Sequence, residues 1–257
     1  MKCVEYGNEH KETVMLLHGG GLSWWNYRDE AEMLRDEYHV ILPILDGHAG
    51  SDRPFTSIES NAGEIVAYID EHLGGSVKLI GGLSLGGQVL LEMLSRRGDI
   101  CRHAFVESAM AIPSKMTHAL VGPAFGMSWG LIRNRHFAAV QFRSLHIRPE
   151  LFEDYYRDTC AVTRDDMIAF MRANTGYSLK DSIRQCRAET RLFVGEKETR
   201  GIRRSATLMQ KYMPDWILTV LPGYRHGDLS INHAGEYVRA IREALANERI
   251  ADRQNPR

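Results

Sequence analysis

The sequence has little cysteine, and what it has is scattered. Cys3, Cys101, Cys160 and Cys186 form no C-x-x-C pair, so no redox or metal motif is spaced for, and reduced thiols are expected. Neither sign of charge is in excess: 32 basic residues face 33 acidic ones, a formal net charge of -1. The overall balance therefore gives no electrostatic reason to expect nucleic acid or an anionic membrane as partner. No apolar run reaches the about eighteen residues that cross a bilayer. The most apolar stretch, near residues 116 to 132, is interrupted by Gly122 and Pro123. A basic-then-apolar signal segment is missing from the N-terminus, and the expected location is the cytoplasm. Repeats and low-complexity tracts are also absent. Hydrophobic content of 44% and charged content of 25% exclude disorder and a fibrous repeat.

What the chain does have is an alternation of short apolar runs and longer amphipathic stretches, the pattern of strands and helices in a mostly parallel sheet. Strands are expected at 13 to 17, 39 to 45, 77 to 81, 103 to 107, 191 to 195 and 216 to 221, all short and rich in β-branched or aromatic residues. Helices are expected around 26 to 37, 60 to 73, 86 to 97, 201 to 212 and 233 to 247. The fold class is α/β, a mostly parallel twisted sheet flanked by helices. One interval breaks the rhythm, because roughly eighty residues separate the strands at 103 and 191, several times the usual connection. It is expected to be a helical cap insertion over 111–185, with the core formed by 1–110 and 186–257. Apolar residues in and near it, Met110, Phe125 and Trp129, together with Trp24, are candidates for lining a substrate pocket at the carboxyl edge of the sheet.

The stretch GGLSLGG, residues 81 to 87, directly follows an expected strand and precedes an expected helix. A sharp turn there would hold Ser84 exposed at the helix N-terminus, with Gly82 and Gly86 removing side chains that would clash. Serine is a poor nucleophile until a base takes its proton. His226 in PGYRHGD and Glu198 in VGEKE both fall in loops just beyond strand ends, on the same sheet edge, in the order serine, acid, histidine. HGGGLSWW, residues 18 to 25, supplies a glycine loop. The amide of Gly20 and that of Leu85 are the candidate oxyanion donors. His18 reads as orienting that loop, and Asp46, His48 and Asp52 as stabilising a turn. His226, Asp228 and His233 lack a recognised ligand spacing, so no metal is expected.

With HGGG, DGHAGSD at 46 to 52, GLSLG, VGEKE and GYRH in this order, the chain resembles the α/β-hydrolase-fold proteins, the large family of small esterases, lipases and carbon-carbon bond hydrolases. The resemblance covers nearly the whole chain. It implies a serine hydrolase cleaving a small or medium, largely apolar carboxylic ester through an acyl-enzyme on Ser84, with no cofactor, a small-molecule substrate and a homodimer as one possible assembly. Carbon-carbon bond hydrolysis, acyl transfer, perhydrolysis or a non-catalytic small-molecule receptor are the alternatives. The chain departs from the family pattern at the acid, where Glu198 stands in place of the usual aspartate. Some members place the acid after the preceding strand, which makes Glu107 in HAFVESA the alternative. Arg225 stands where the family most often has glycine.

Overall fold

The computed structural model describes residues 1–254, apart from the side chains at 127–128 and 247–254. The last three residues of the expected core segment, 255–257, lie outside the described residues. Seven strands form one sheet: β1 (Lys2–Tyr6), β2 (Thr13–Leu17), β3 (His39–Ile44), β4 (Val77–Leu83), β5 (Cys101–Glu107), β6 (Glu189–Gly195) and β7 (Ile217–Leu221), in the order β1-β3-β2-β4-β5-β6-β7. β1 runs antiparallel to β3, and every other pair is parallel. Helices cover both faces, as parallel sheets require.

The period-2 alternation of β2 shows how the sequence sorts its core. Met15 and Leu17 point to one face, where they join residues of α2 (Ile58–His72), α3 (Leu85–Arg96) and α8 (Arg200–Tyr212). Val14 and Leu16 point to the other, beneath α1 (Arg28–Leu34) and α10 (Ala234–Gln254). All five β2 residues are buried, so β2 cannot be shifted by one residue without turning each side chain to the opposite layer. Polar residues start the helices where the pattern changes. Ser57 accepts the Ser60 N–H of α2 at 3.0 Å, and Thr199 accepts the Ile202 N–H of α8 at 3.5 Å, each meeting one otherwise orphaned donor.

Between β5 and β6 the chain forms α4 (Lys115–Ile132), α5 (Arg135–Ser144), α6 (Phe152–Ala161) and α7 (Arg164–Gly176), followed by a tight turn at Asp181–Gln185. A short helix, α9 (Asp228–Asn232), follows β7. The four cysteines are unpaired. No helix among the described residues is long and apolar enough to cross a membrane.

Candidate active site

Ser84 sits alone between β4 and α3 with φ 52 and ψ -108, a conformation that costs a residue with a side chain about 1 to 3 kcal/mol. Neighbouring elements hold it there. Its N–H donates to the Glu107 carbonyl at 2.9 Å, and its own carbonyl accepts the Gln88 N–H at 2.9 Å. Close packing explains the two glycines. A Cβ on Gly82 would lie 2.5 Å from the Gly86 carbonyl oxygen, and one on Gly86 would overlap the Leu17 carbonyl oxygen and lie 2.6 Å from that of His18. Leu83 and Leu85 are buried while Ser84 stays partly exposed, so the turn presents the hydroxyl at the carboxyl edge of the sheet.

Two loops on that edge bring Glu198 and His226 together. The loop after β6 is tied to the loop after β7 by the Lys197 N–H, which donates to the Tyr224 carbonyl at 2.9 Å. His226 Nδ1–H donates to Glu198 Oε1 at 2.9 Å. The proton on Nδ1 leaves Nε2 free to accept. Burial works to raise the Glu198 carboxyl, but the hydrogen bond and charge of His226 outweigh it and hold the group below its ordinary value. Burial likewise works to depress His226, and the hydrogen bond and charge of Glu198 raise it above its ordinary value. The carboxylate is buried, whereas the imidazole is 47% exposed and accessible from the cavity.

Glu107, the alternative acid, points elsewhere. Its carboxylate accepts the Leu229 N–H at 3.1 Å and the Ser230 N–H at 3.3 Å, the first-turn amides of α9. Burial pushes this carboxyl up to about 7 against those hydrogen bonds. The folded chain therefore holds a proton that the unfolded chain releases near its ordinary value of 4.5, and stability falls as pH rises through that window, by up to about 3 kcal/mol. Glu107→Gln keeps an acceptor for one amide without carrying charge. Urea unfolding at pH 5 and pH 8 is expected to show the stability difference moving in favour of the variant at the higher pH. A pH-independent difference contradicts this account.

The glycine loop is fixed by a buried neutral histidine. His18 Nδ1–H donates to the Gly19 carbonyl at 2.9 Å, and Nε2 accepts the Leu45 N–H at 3.1 Å. Burial, with the neighbouring His48, depresses His18 to about 3, so it keeps this tautomer across the neutral range. The Gly19 N–H is held by Asn26 Oδ1 at 3.2 Å. The next residue, Gly20, lies against Leu85, since a Cβ there would meet the Leu85 side chain at 3.5 Å. Leu85 is the first residue of α3, where no intrahelical acceptor meets the N–H. His48, held low at about 4 chiefly by burial, stacks on Phe170 of α7 at 4.3 Å. Asp46 accepts the Ser51 hydroxyl at 3.5 Å, and Asp52 pairs with Lys2 at 3.8 Å.

Ser84, Glu198, His226 and Gly20 line one cavity of about 310 Å³. Its apolar wall is Leu22, Leu83, Leu145, Ile147 and Ile231, and its polar rim includes Lys197, Thr199 and Arg225. The four residues expected to line the pocket do not. Met110, Phe125 and Trp129 pack against the α2–α3 side of the core, and Trp24 packs in the opposite layer with the Arg28 guanidinium 5.1 Å above its ring. Their apolar surface is used in holding the inserted helices and the glycine loop to the sheet. The wall segment Ser144–Ile147 carries no signal in the sequence; its turn is made at His146, a non-glycine residue at φ 57. His233 stacks on Tyr224 at 4.5 Å, and the Asp228 carboxylate accepts from Arg225 and Asn232, so these two do not converge with His226 on one point.

A model of a family described as the alpha/beta hydrolase family matches residues 14–240. Among curated proteins, the uncharacterized hydrolase YugF of Bacillus subtilis (strain 168) is 23% identical over 265 residues, covering 96% of this chain and 91% of its own. Among solved structures, a thermophilic esterase from Thermogutta terrifontis aligns with a TM-score of 0.77 at 20% identity, over 96% of this chain and 93% of that one. The enol-lactonase from Burkholderia xenovorans LB400 aligns with a TM-score of 0.80 at 13% identity, over 95% and 96% respectively. At these identities the structural likenesses speak to the fold.

Proposed function

The chain belongs to the alpha/beta hydrolase family, and from that premise we propose that it is a serine hydrolase acting on a small or medium, largely apolar carboxylic ester. His226 Nε2 takes the proton of Ser84 Oγ as the oxygen attacks the acyl carbonyl, and the amides of Gly20 and Leu85 receive the negative charge on the carbonyl oxygen. Collapse expels the alcohol, protonated by His226, and leaves the acyl group on Ser84. Water then enters, gives a proton to His226 as it attacks the acyl carbon, and the acid is released as His226 returns that proton to Ser84 Oγ. Glu198 keeps His226 in the required tautomer and stabilises its charged form. Helices α4 to α7 serve as a cap, with Ser144–Ile147 as the wall of the acyl site.

The reading rests on one observation: the 2.9 Å contact between His226 and Glu198 in the cavity that also holds a serine at φ 52. The apolar wall favours an acyl chain over a charged group, and the esterase and enol-lactonase neighbours are in keeping with ester or lactone bonds. Intact mass after exposure to a fluorophosphonate tests it. One adduct is expected on the native chain and none on Ser84→Ala. Glu198→Gln is expected to slow labelling about a thousand- to ten-thousandfold, as when the acid of a triad is neutralised, while Glu107→Gln labels within a few-fold of the native rate. An unlabelled native chain overturns the proposal, and the reverse order of the two glutamine variants overturns the role given to Glu198.

A further inference from the structure

The near-zero net charge of the chain conceals an uneven distribution. From Ser108 to Pro149 there is no aspartate or glutamate, against Lys115, Arg133, Arg135, Arg143 and Arg148. That segment contains α4 and α5 in full. It also carries six of the nine large hydrophobic side chains that stand exposed among the described residues: Met116, Leu120, Leu131, Phe137, Val140 and Leu145.

These side chains are arranged in rows. Met116, Leu120 and Leu131 fall within about 60° of one another around α4. On α5, Phe137 and Val140 are neighbours one turn apart, while Ala138 and Phe142 face the core. Exposure reaches 76% at Met116 and 66% at Val140. Arg135 is paired with Glu153, and Arg148 with Asp29. Lys115, Arg133 and Arg143 have no acidic partner among the described residues.

Large apolar side chains left in water along two neighbouring helices are unfavourable and mark a contact face. The three cations left without an acidic partner decide what it contacts. Two copies meeting through this face would bring the unpaired Lys115, Arg133 and Arg143 of each toward those of the other, with Glu153 and Asp29 already engaged by Arg135 and Arg148, which opposes a symmetric dimer. An anionic bilayer supplies both an apolar layer for the leucines and phosphates for the cations. We infer that the exposed faces of α4 and α5 dock on the surface of an anionic lipid bilayer, their apolar side chains in the headgroup layer and Lys115, Arg133 and Arg143 on lipid phosphates. No described helix is long and apolar enough to cross a membrane, and the contact is accordingly peripheral.

The face also runs to the cavity. Leu145, directly after α5, is 46% exposed and lines the space around Ser84. On the serine-hydrolase reading, an acyl ester dissolved in the bilayer would reach Ser84 past Leu145. The docking itself does not rest on that reading.

Co-sedimentation of the full chain with vesicles tests the inference without any turnover. Binding to phosphatidylcholine vesicles containing phosphatidylglycerol is expected to exceed binding to phosphatidylcholine alone by about tenfold or more, and to fall steeply as salt is raised. The double variant Leu120→Glu with Val140→Glu is expected to lose the binding while melting at the native temperature, since both positions are exposed. Equal binding to the two vesicle types, no binding to either, or native-like binding by the double variant would overturn it. So would a native dimer in lipid-free solution that the double variant converts to monomer, because the occupant would then be a second copy.

Discussion

Ser84→Ala is expected to lower kcat for ester hydrolysis about ten-thousand- to a millionfold, the range seen when a nucleophile acting as one unit with its base is removed. The fold should be untouched. Alanine keeps the Cβ, so the backbone at φ 52 and ψ -108 stays as strained as before and the melting temperature should not move. Ser84→Gly separates the two properties. It is equally inactive, but it releases strain held by the Glu107 and Gln88 hydrogen bonds, and after the greater freedom of glycine in the unfolded chain is set against that release, a gain of about 1 kcal/mol remains. For a chain of this length that is about 2 to 4 °C in Tm. Steady-state rates and melting curves on both variants check the pair. Activity within tenfold of native in either would mean that another group attacks the substrate.

Gly86→Ala should injure the fold first, and the chemistry through it. The added methyl would overlap the Leu17 carbonyl oxygen and lie 2.6 Å from that of His18. Both are main-chain atoms at the junction of β2 and the glycine loop, so no side chain can swing away to make room. Relief requires α3 to move off the sheet, which draws Leu85 away from Gly20. Overpacking against mobile side chains costs about 1 to 3 kcal/mol. Against backbone, about 3 kcal/mol or more is expected, a large share of the stability of a typical domain. Urea unfolding should show the loss, and the residual folded protein should label poorly with a fluorophosphonate because the two proposed oxyanion donors, Gly20 and Leu85, no longer converge. Native stability in this variant would mean that the elbow is looser than its contacts indicate.

These two positions were legible in the sequence because their signals are local. A strand, a glycine-flanked serine and a helix occupy consecutive residues, and the six expected strands all form, with ends shifted by no more than two residues. β1 was missed because Lys2–Tyr6 is an antiparallel edge strand whose residues are only partly buried or exposed, leaving no apolar run to read. The start of α1 at Arg28, later than expected, reflects a tight turn over Trp24–Tyr27 that buries Trp25 and Tyr27. The cavity wall was not readable at all. Whether Trp129 or Leu145 faces Ser84 depends on how the inserted helices lie across the sheet, and aromatic residues serve equally well as packing or as lining. The sequence favoured Glu198 over Glu107 without settling the point, since Glu107 ends β5 and Glu198 falls in the loop just after the adjacent β6. The difference lies in what each carboxylate meets: an imidazole at Glu198 and the first amides of α9 at Glu107.

The order in which the strands occur along the chain also bears on synthesis. Residues up to Glu107 supply the serine, the glycine loop and the strands β1 to β5 that support them, whereas Glu198 and His226 arrive with the last two strands. β6 and β7 extend the sheet from β5 outward, joined across a long insertion whose closure is slow relative to local contacts. A nascent chain released as far as β5 thus displays the Ser84 hydroxyl without Glu198 and His226. On the serine-hydrolase reading, such a chain stays inert toward esters until the far edge of the sheet has closed, so chemical competence coincides with the completion of folding and a truncated product is silent rather than indiscriminate.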